Sequence, residues 1–463
     1  MIGQNFELQR QRMNATGIGL AGIDGVWWLP AAEPFILPAQ AARDLAEIGQ
    51  AIFALFDAVT SLYGTPAGAA GGLDDLLRYK VPPNISRLVS QGRVESVRPD
   101  FQLVLQTSPV SKTLEISFVA TELEICPSAH GYAQAMQTGY GLPLDLVESF
   151  AHYLNGRELL FVGTQQWSEF LFEQLAFCRA LAEVGSWARV LYDLPVRVMA
   201  DQIRQGQRWQ PPIFGIKQKP PAWNNNLLER IEAHRFEPFL WPDEAGWPEA
   251  VGNAVLFRFG YVDCFAPDKL RYFERWRRQG AAVLNPATFF LDSKAVMAAL
   301  NLPLVREQIA RSNLKALAVL DRCIPETLLL RQETRQRLVA EKDAWVVKYA
   351  GFDGGNQAWG GRSLQLGLNH SAASWREVLA QALEVPWPVV AQRLVPSARV
   401  DIAYVDNRGE AQVMEQGDTR LRTFFLRDGA AAVACGSHLT VAGGTMQVSE
   451  ATDTVQAPIL FRD

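Results

Sequence analysis

The stretch WVVKYAGFDGGNQAWGG, residues 345–361, decides the reading of the whole chain. An apolar run leads into Lys348, and a glycine-rich segment follows at once. That order predicts a strand ending on an ammonium, a compact point charge suited to phosphate oxygens. It also predicts a turn whose backbone N–H groups can approach an anion, because Gly351, Gly354, Gly355, Gly360 and Gly361 carry no side chain to hold it off. Taken alone, a strand lysine is more often a solvated charge and a glycine cluster more often a plain turn. The flanking segments give the pair its meaning.

Upstream, LDSKAVMAALNLPLV (291–305) places Lys294 at a helix start, and DRCIPETLLL (321–330) leads into a short apolar run. Downstream, PVVAQRLV (388–395) reads as an edge-type strand whose backbone can hydrogen-bond an adenine, with Gln392 as its polar contact and Val395 at its end. The order of Ser-Lys at a helix start, Ile-Pro-x-Thr, strand lysine, glycine-rich loop and apolar hinge strand resembles the ATP-grasp superfamily. The resemblance implies two subdomains that clamp ATP, with Mg²⁺ as its companion.

An unpermuted ATP-grasp chain carries its metal-binding carboxylates after the hinge strand. Here the segment 414–444 offers Glu415, Asp418, Arg420 and Arg422 but no Glu-x-Asn strand. The missing element stands upstream, in VRPDFQLV (97–104) and ELEICPSAHGYAQAM (122–136). This is similar to circularly permuted ATP-grasp proteins, particularly the glutathionylspermidine-synthase-like group, where an Arg-x-Asp strand precedes a Glu-x-Asn strand and a Pro-Ser/Thr-Gly-like turn. Arg98 and Asp100 match the first strand, Glu124 the glutamate of the second, and Pro127, Ser128 and Gly131 the turn. Cys126 falls where the family carries asparagine, and a thiol is a poor magnesium ligand, which puts a second metal in doubt. On the resemblance, Asp100 and Glu124 hold magnesium. Lys294, Lys348, Gly354, Gly355, Gln392 and Val395 bind the nucleotide. Arg98 and Arg422 are the catalytic cations.

Composition sets the limits. The chain has 463 residues, 48% hydrophobic and 20% charged, the balance of a globular protein. A formal net charge of −5 gives no general attraction to nucleic acid or to anionic membranes. The run Leu45–Tyr63 is interrupted by Glu47, Gln50 and Asp57, short of the roughly 18 apolar residues of a span. The first twenty residues lack the pattern of a secretory signal, so a cytoplasmic protein is expected. Cys126, Cys178, Cys264, Cys323 and Cys435 are odd in number and never in a CxxC pair, so they read as reduced thiols.

Periodicity divides the chain into four parts. Residues 1–95 read as mainly helical, with apolar spacing from Pro38 to Tyr63 before the GTPAGAAGG run. Residues 96–150 carry the strand-like runs FQLVL, LEISFV and LEIC. In 151–290, the runs LLFVG, ARVLYDLP, NAVLFRFG and AAVLN alternate with helical segments, which predicts a parallel α/β layer. A Trp- and Pro-rich insertion near 206–248 interrupts it. Residues 291–463 hold the nucleotide-clamping segments.

The expected fold is thus α+β / α/β, a circularly permuted ATP-grasp core with an inserted Rossmann-like layer. The expected activity is an ADP-forming ligase that joins a small-molecule carboxylate to an amine through an acyl phosphate, and peptide-like substrates are the family expectation. Phosphoryl transfer to a non-carboxylate acceptor and nucleotide binding without chemistry are its alternatives. No nucleic-acid or membrane partner is expected, and a homodimer is compatible with the sequence.

Overall fold

The computed structural model describes residues 2–18, 28–107, 114–164, 167, 170–193, 195–198, 227–242, 247–353, 358, 363–406, 408–444 and 454–463. Strands β1 (Trp28–Pro30) and β2 (Phe35–Leu37) precede a 24-residue helix, Ala39–Leu62. The apolar spacing seen in the sequence becomes the helix's buried surface, from Leu45 through Ile52 and Phe56 to Val59. Gly64, at φ +75°, follows the helix in a conformation that costs glycine little. Among the described helices this one is long and apolar enough to cross a membrane, but 61% of its most apolar window is buried inside the protein. It packs on the C-terminal strands and on the helices Pro303–Ser312 and Leu314–Cys323.

Two long strands follow, β3 (Ser96–Thr107) and β4 (Leu114–Glu124), paired antiparallel. The runs LEISFV and LEIC, separate in the sequence reading, belong to one structural stretch, β4 and the residues just beyond it. Next come β5 (Leu159–Gly163), β6 (Ala188–Tyr192), β7 (Val255–Phe259) and β8 (Ala282–Val283). They form a four-stranded parallel sheet in the order β6-β5-β7-β8. Every residue of β5 and β7 is buried, as both-face coverage demands of a parallel sheet.

A second four-stranded sheet is built from β9 (Thr327–Leu329), β10 (Trp345–Tyr349), β11 (Gln365–Leu366) and β12 (Val389–Arg393). It is antiparallel, in the order β11-β10-β12-β9, and the helices Gln332–Ala340 and Ala372–Glu384 pack together on it around Trp345 and Trp375. β12 therefore lies inside the sheet, with β10 on one side and β9 on the other. The expectation of an edge strand is corrected: the two ladders occupy its backbone, and Arg393 and Leu394 donate to the carbonyls of Glu326 and Ala344.

The last strands, β13 (Arg399–Val405), β14 (Ala411–Asp428), β15 (Ala431–Ala442) and β16 (Thr454–Phe461), complete an eight-stranded sheet. Its main path runs β1-β16-β15-β14-β3-β4, with β13 on β14 and β2 on β16. β14 pairs antiparallel with β3, bringing Arg422 opposite Asp100 across more than 300 positions of sequence. Residues 96–124 thus share one sheet with the C-terminal strands. Phe101 and Phe425 meet edge-on across this junction, 6.3 Å between centroids, sealing the core beneath it.

Candidate functional site

The site lies where the four-stranded antiparallel sheet faces the β3–β4–β14 part of the large sheet. Between them is a narrow cleft. Thr121, Glu122, Lys348, Gln392, Val395 and Arg420 are among the residues that line it.

Lys348 spans the two sheets. Its Nζ donates to the Thr121 carbonyl of β4 at 2.7 Å and to Gln392 Oε1 at 3.2 Å, and lies 3.6 Å from Glu122. The side chain is buried. Burial pushes its ammonium down to about 8, against the opposing pull of Glu122. Lys294 reaches the same glutamate at 3.7 Å and donates to the Ala358 carbonyl at 2.5 Å. Gln392 does not present its amide to the cleft as a free adenine contact. Its Oε1 receives Lys348 and its Nε2 donates to Thr327 Oγ1 at 2.9 Å, so it holds the lysine in place. Val395 lines the cleft just past β12. Gly354 and Gly355 lie outside the described residues, as do Gly360, Gly361 and most of the Trp-rich insertion.

The large sheet supplies the opposite wall. In the antiparallel register of β3 and β4, Arg98 stands opposite Glu124 and Asp100 opposite Glu122. Period-two alternation puts all four on one face. Arg98 Nη2 binds Glu124 Oε2 at 2.5 Å, and Arg98 Nη1 donates to the Ser128 carbonyl at 2.7 Å. Asp100 is ringed by guanidinium groups. Its Oδ1 receives Arg422 Nε at 3.1 Å and Arg98 Nη2 at 3.5 Å, and its Oδ2 receives Arg420 Nη1 at 3.4 Å. Burial alone would raise the Asp100 carboxyl, but Arg422, Arg98 and Arg420 outweigh it and hold it well below the usual carboxylate range. Glu122 is likewise lowered: burial raises it, and Lys294 and Lys348 more than offset that.

The structure gathers Arg98, Asp100, Glu124, Arg422, Lys294, Lys348, Gln392 and Val395 into one constellation. The sequence reading missed Glu122, which touches both lysines, and gave Arg420 little weight. The signal was present: Glu122 and Glu124 stand two apart on one strand, so Glu-x-Glu at 122–124 faces the site and Cys126 falls beyond the strand end. Cys126 is buried, and burial pushes its thiol well above the ordinary value.

The donor set does not fit the magnesium site expected of Asp100 and Glu124. Magnesium needs carboxylate oxygens turned towards it and the phosphates. Here those oxygens are engaged by Arg98, Arg420 and Arg422, and no group of three His, Cys, Asp or Glu among the described residues is placed to hold an ion.

The fold has a counterpart among solved structures. It is similar to a solved glutathione synthetase-like effector from Globodera pallida in its apo form, with a TM-score of 0.52 and 9% identity over 99% of this chain and 96% of that one. A second structure, from Methylobacillus flagellatus KT and provisionally assigned as a γ-glutamylcysteine synthetase, aligns with a TM-score of 0.38 and 8% identity over 84% of this chain and 86% of that one. The first likeness establishes fold and nothing more, and the second carries no argument. No family model and no curated protein matches the chain.

Proposed function

We propose that this protein is an ATP-dependent ligase that joins a carboxylate to an amine through an acyl phosphate and releases ADP and phosphate. The observation that carries the reading is the cleft itself, walled by two sheets, with the buried Lys348 reaching from one to the other. Lys348 and Lys294 bind the triphosphate, and the residues beyond β12, beginning at Val395, hold the adenine edge. A carboxylate oxygen of the first substrate attacks the γ-phosphorus as the bond to ADP breaks. The amine nitrogen then attacks the acyl carbon, the bond to phosphate breaks, and the amine loses its proton. Arg98 and Arg422 stabilise the oxyanion that forms in that second step, a contribution of about 10²–10³ in rate for one such group.

The pairing of β3 with the C-terminal β14 supports a circular permutation, and the parallel sheet fits the inserted Rossmann-like layer of that arrangement. The glutathionylspermidine-synthase-like group, peptide-like substrates, a cytoplasmic location and a homodimer belong to the same proposal.

The guanidinium ring around Asp100 favours a second reading, a nucleotide-binding protein without ligase chemistry. An ADP-release screen of carboxylic acids against amines, with hydroxylamine to trap an acyl phosphate as its hydroxamate, separates them. ADP release with a trapped hydroxamate supports the ligase. ATP binding with no ADP release from any pair supports the second reading, and a stable phosphorylated product would identify a phosphotransferase instead.

A further inference from the structure

Gln102, on β3 just past Asp100, lines the same cleft as Lys348 and Val395. Its side chain belongs to a residue only 6% exposed, and its Oε1 is buried with no hydrogen-bond partner. A buried acceptor left unmatched costs free energy, and in a cleft it points to a donor that arrives with a ligand.

The neighbouring neutral side chains of the cleft do not answer it. Thr121 Oγ1 donates to the Asp100 carbonyl at 3.2 Å, and Ser363 Oγ accepts the Tyr349 N–H at 3.0 Å. Ser397 Oγ donates to Asp418 Oδ1 at 3.3 Å and accepts the Thr419 N–H at 3.2 Å. Both ends of the Gln392 amide are engaged, by Lys348 and by Thr327.

Position decides which part of a ligand meets Gln102. Lys294 and Lys348, gathered at Glu122, mark the end suited to phosphates. Glu122 stands opposite Asp100 in the register, and Gln102 lies about 7 Å further along β3. There the chain beyond β12 is pinned to β3: the Ala398 N–H donates to the Leu103 carbonyl at 2.5 Å, next to Gln102. Val346, Leu366, Leu394 and Val395 also line the cleft, giving a planar base apolar surface to pack on.

We infer that Gln102 reads the base of the nucleotide: its Oε1 receives an N–H of the 6-amino group of adenine, so the site favours a 6-aminopurine over a 6-ketopurine. This rests on the reading of the cleft as a nucleotide site. A 6-keto group sets a second acceptor against the buried oxygen, and a purine bare at that position leaves the oxygen unmatched. A site built to hydrogen-bond a ligand group rejects analogues that lack it, because its own buried group then stays unpaired.

Calorimetric titration of the full chain with ATP, inosine triphosphate and purine riboside triphosphate tests it, since the last differs from ATP only by the missing amino group. ATP should bind tighter than either analogue by about tenfold or more. Gln102→Leu should weaken ATP to the level of purine riboside triphosphate, and leave the affinity for that analogue within about threefold of the wild-type value. Equal affinity of the wild-type chain for all three overturns the inference and leaves the nucleotide reading standing. A preference for ATP that survives undiminished in Gln102→Leu also overturns it. Binding of none of the three to the wild-type chain overturns both.

Discussion

Lys348 and Gln392 are diagonal neighbours across β10 and β12, with Nζ 3.2 Å from Oε1, and Gln392 is anchored in turn by Thr327 at 2.9 Å. The register pairs Lys348 with Val390 and Val346 with Gln392, so both polar side chains rise from one face of the sheet. Gln392→Leu removes the acceptor and leaves the ammonium with its β4 carbonyl and a more distant carboxylate. ATP affinity should fall by about tenfold, the value of one hydrogen bond to a charged group. Gln392→Glu keeps an acceptor for Lys348 but loses the donor to Thr327 and sets a negative charge beside the phosphates, so it should not restore the affinity in a calorimetric titration with ATP.

The ammonium of Lys348 also sets a pH dependence. Its folded-state value lies near 8, below the ordinary lysine value, because burial penalises the charged form. ATP binding that uses the ammonium should therefore weaken as pH rises through about 8. In the absence of ligand the sign is opposite. Between about 8 and the ordinary value near 10.4 the unfolded chain binds more protons at this position, so this group's contribution to stability increases with pH there. Glu122→Gln removes the pull that raises Lys348 and should move the midpoint of the binding curve to lower pH. A midpoint that stays in place would show that the two groups are uncoupled.

The elements around the cleft were legible because each is local. A strand ending on Lys348, a helix at Lys294 and a hinge strand at 389–393 follow from apolar runs and their punctuation. Pairings between distant segments were not legible. No local pattern says that β12 is flanked by β9, that β14 lies against β3, or that Arg420 and Arg422 close on Asp100. Glu122 escaped notice for the same reason, since only the cross-strand register shows that it faces Asp100.

Asp100 holds three arginines on one buried carboxylate. Asp100→Asn leaves those guanidinium groups uncompensated, and breaking a buried ion pair costs about 3–5 kcal/mol. The urea midpoint should fall accordingly. Because the Asp100 carboxyl is held low in the fold, its stabilisation is fully present above the ordinary aspartate value near 3.9 and is lost as pH falls through its lower folded value. The wild-type chain should therefore lose more stability than Asp100→Asn on acidification below about pH 4. Parallel acid-unfolding curves for the two proteins would count against this pairing.

Gly131 was matched to a turn in the sequence, yet it lies in the first turn of helix His130–Tyr140, where its lack of a side chain has a packing cause. A Cβ at Gly131 would overlap the backbone carbonyl of Glu173 in the neighbouring helix Leu171–Glu183. The same glutamate accepts the Ala129 backbone N–H at 2.8 Å, and Ala129 sits at φ +78°, a left-handed conformation costly for any residue with a Cβ. Gly131→Ala should force the helices apart and destabilise the protein by about 3 kcal/mol, at the level of an overpacked core. Ala129→Gly should relieve the local strain and stabilise it by about 1 kcal/mol. The double variant tests whether the helix start is one coupled unit. If strain at Ala129 drives the close approach, Gly131→Ala will cost less in the Ala129→Gly background, and an additive pair of urea midpoints would separate the two effects.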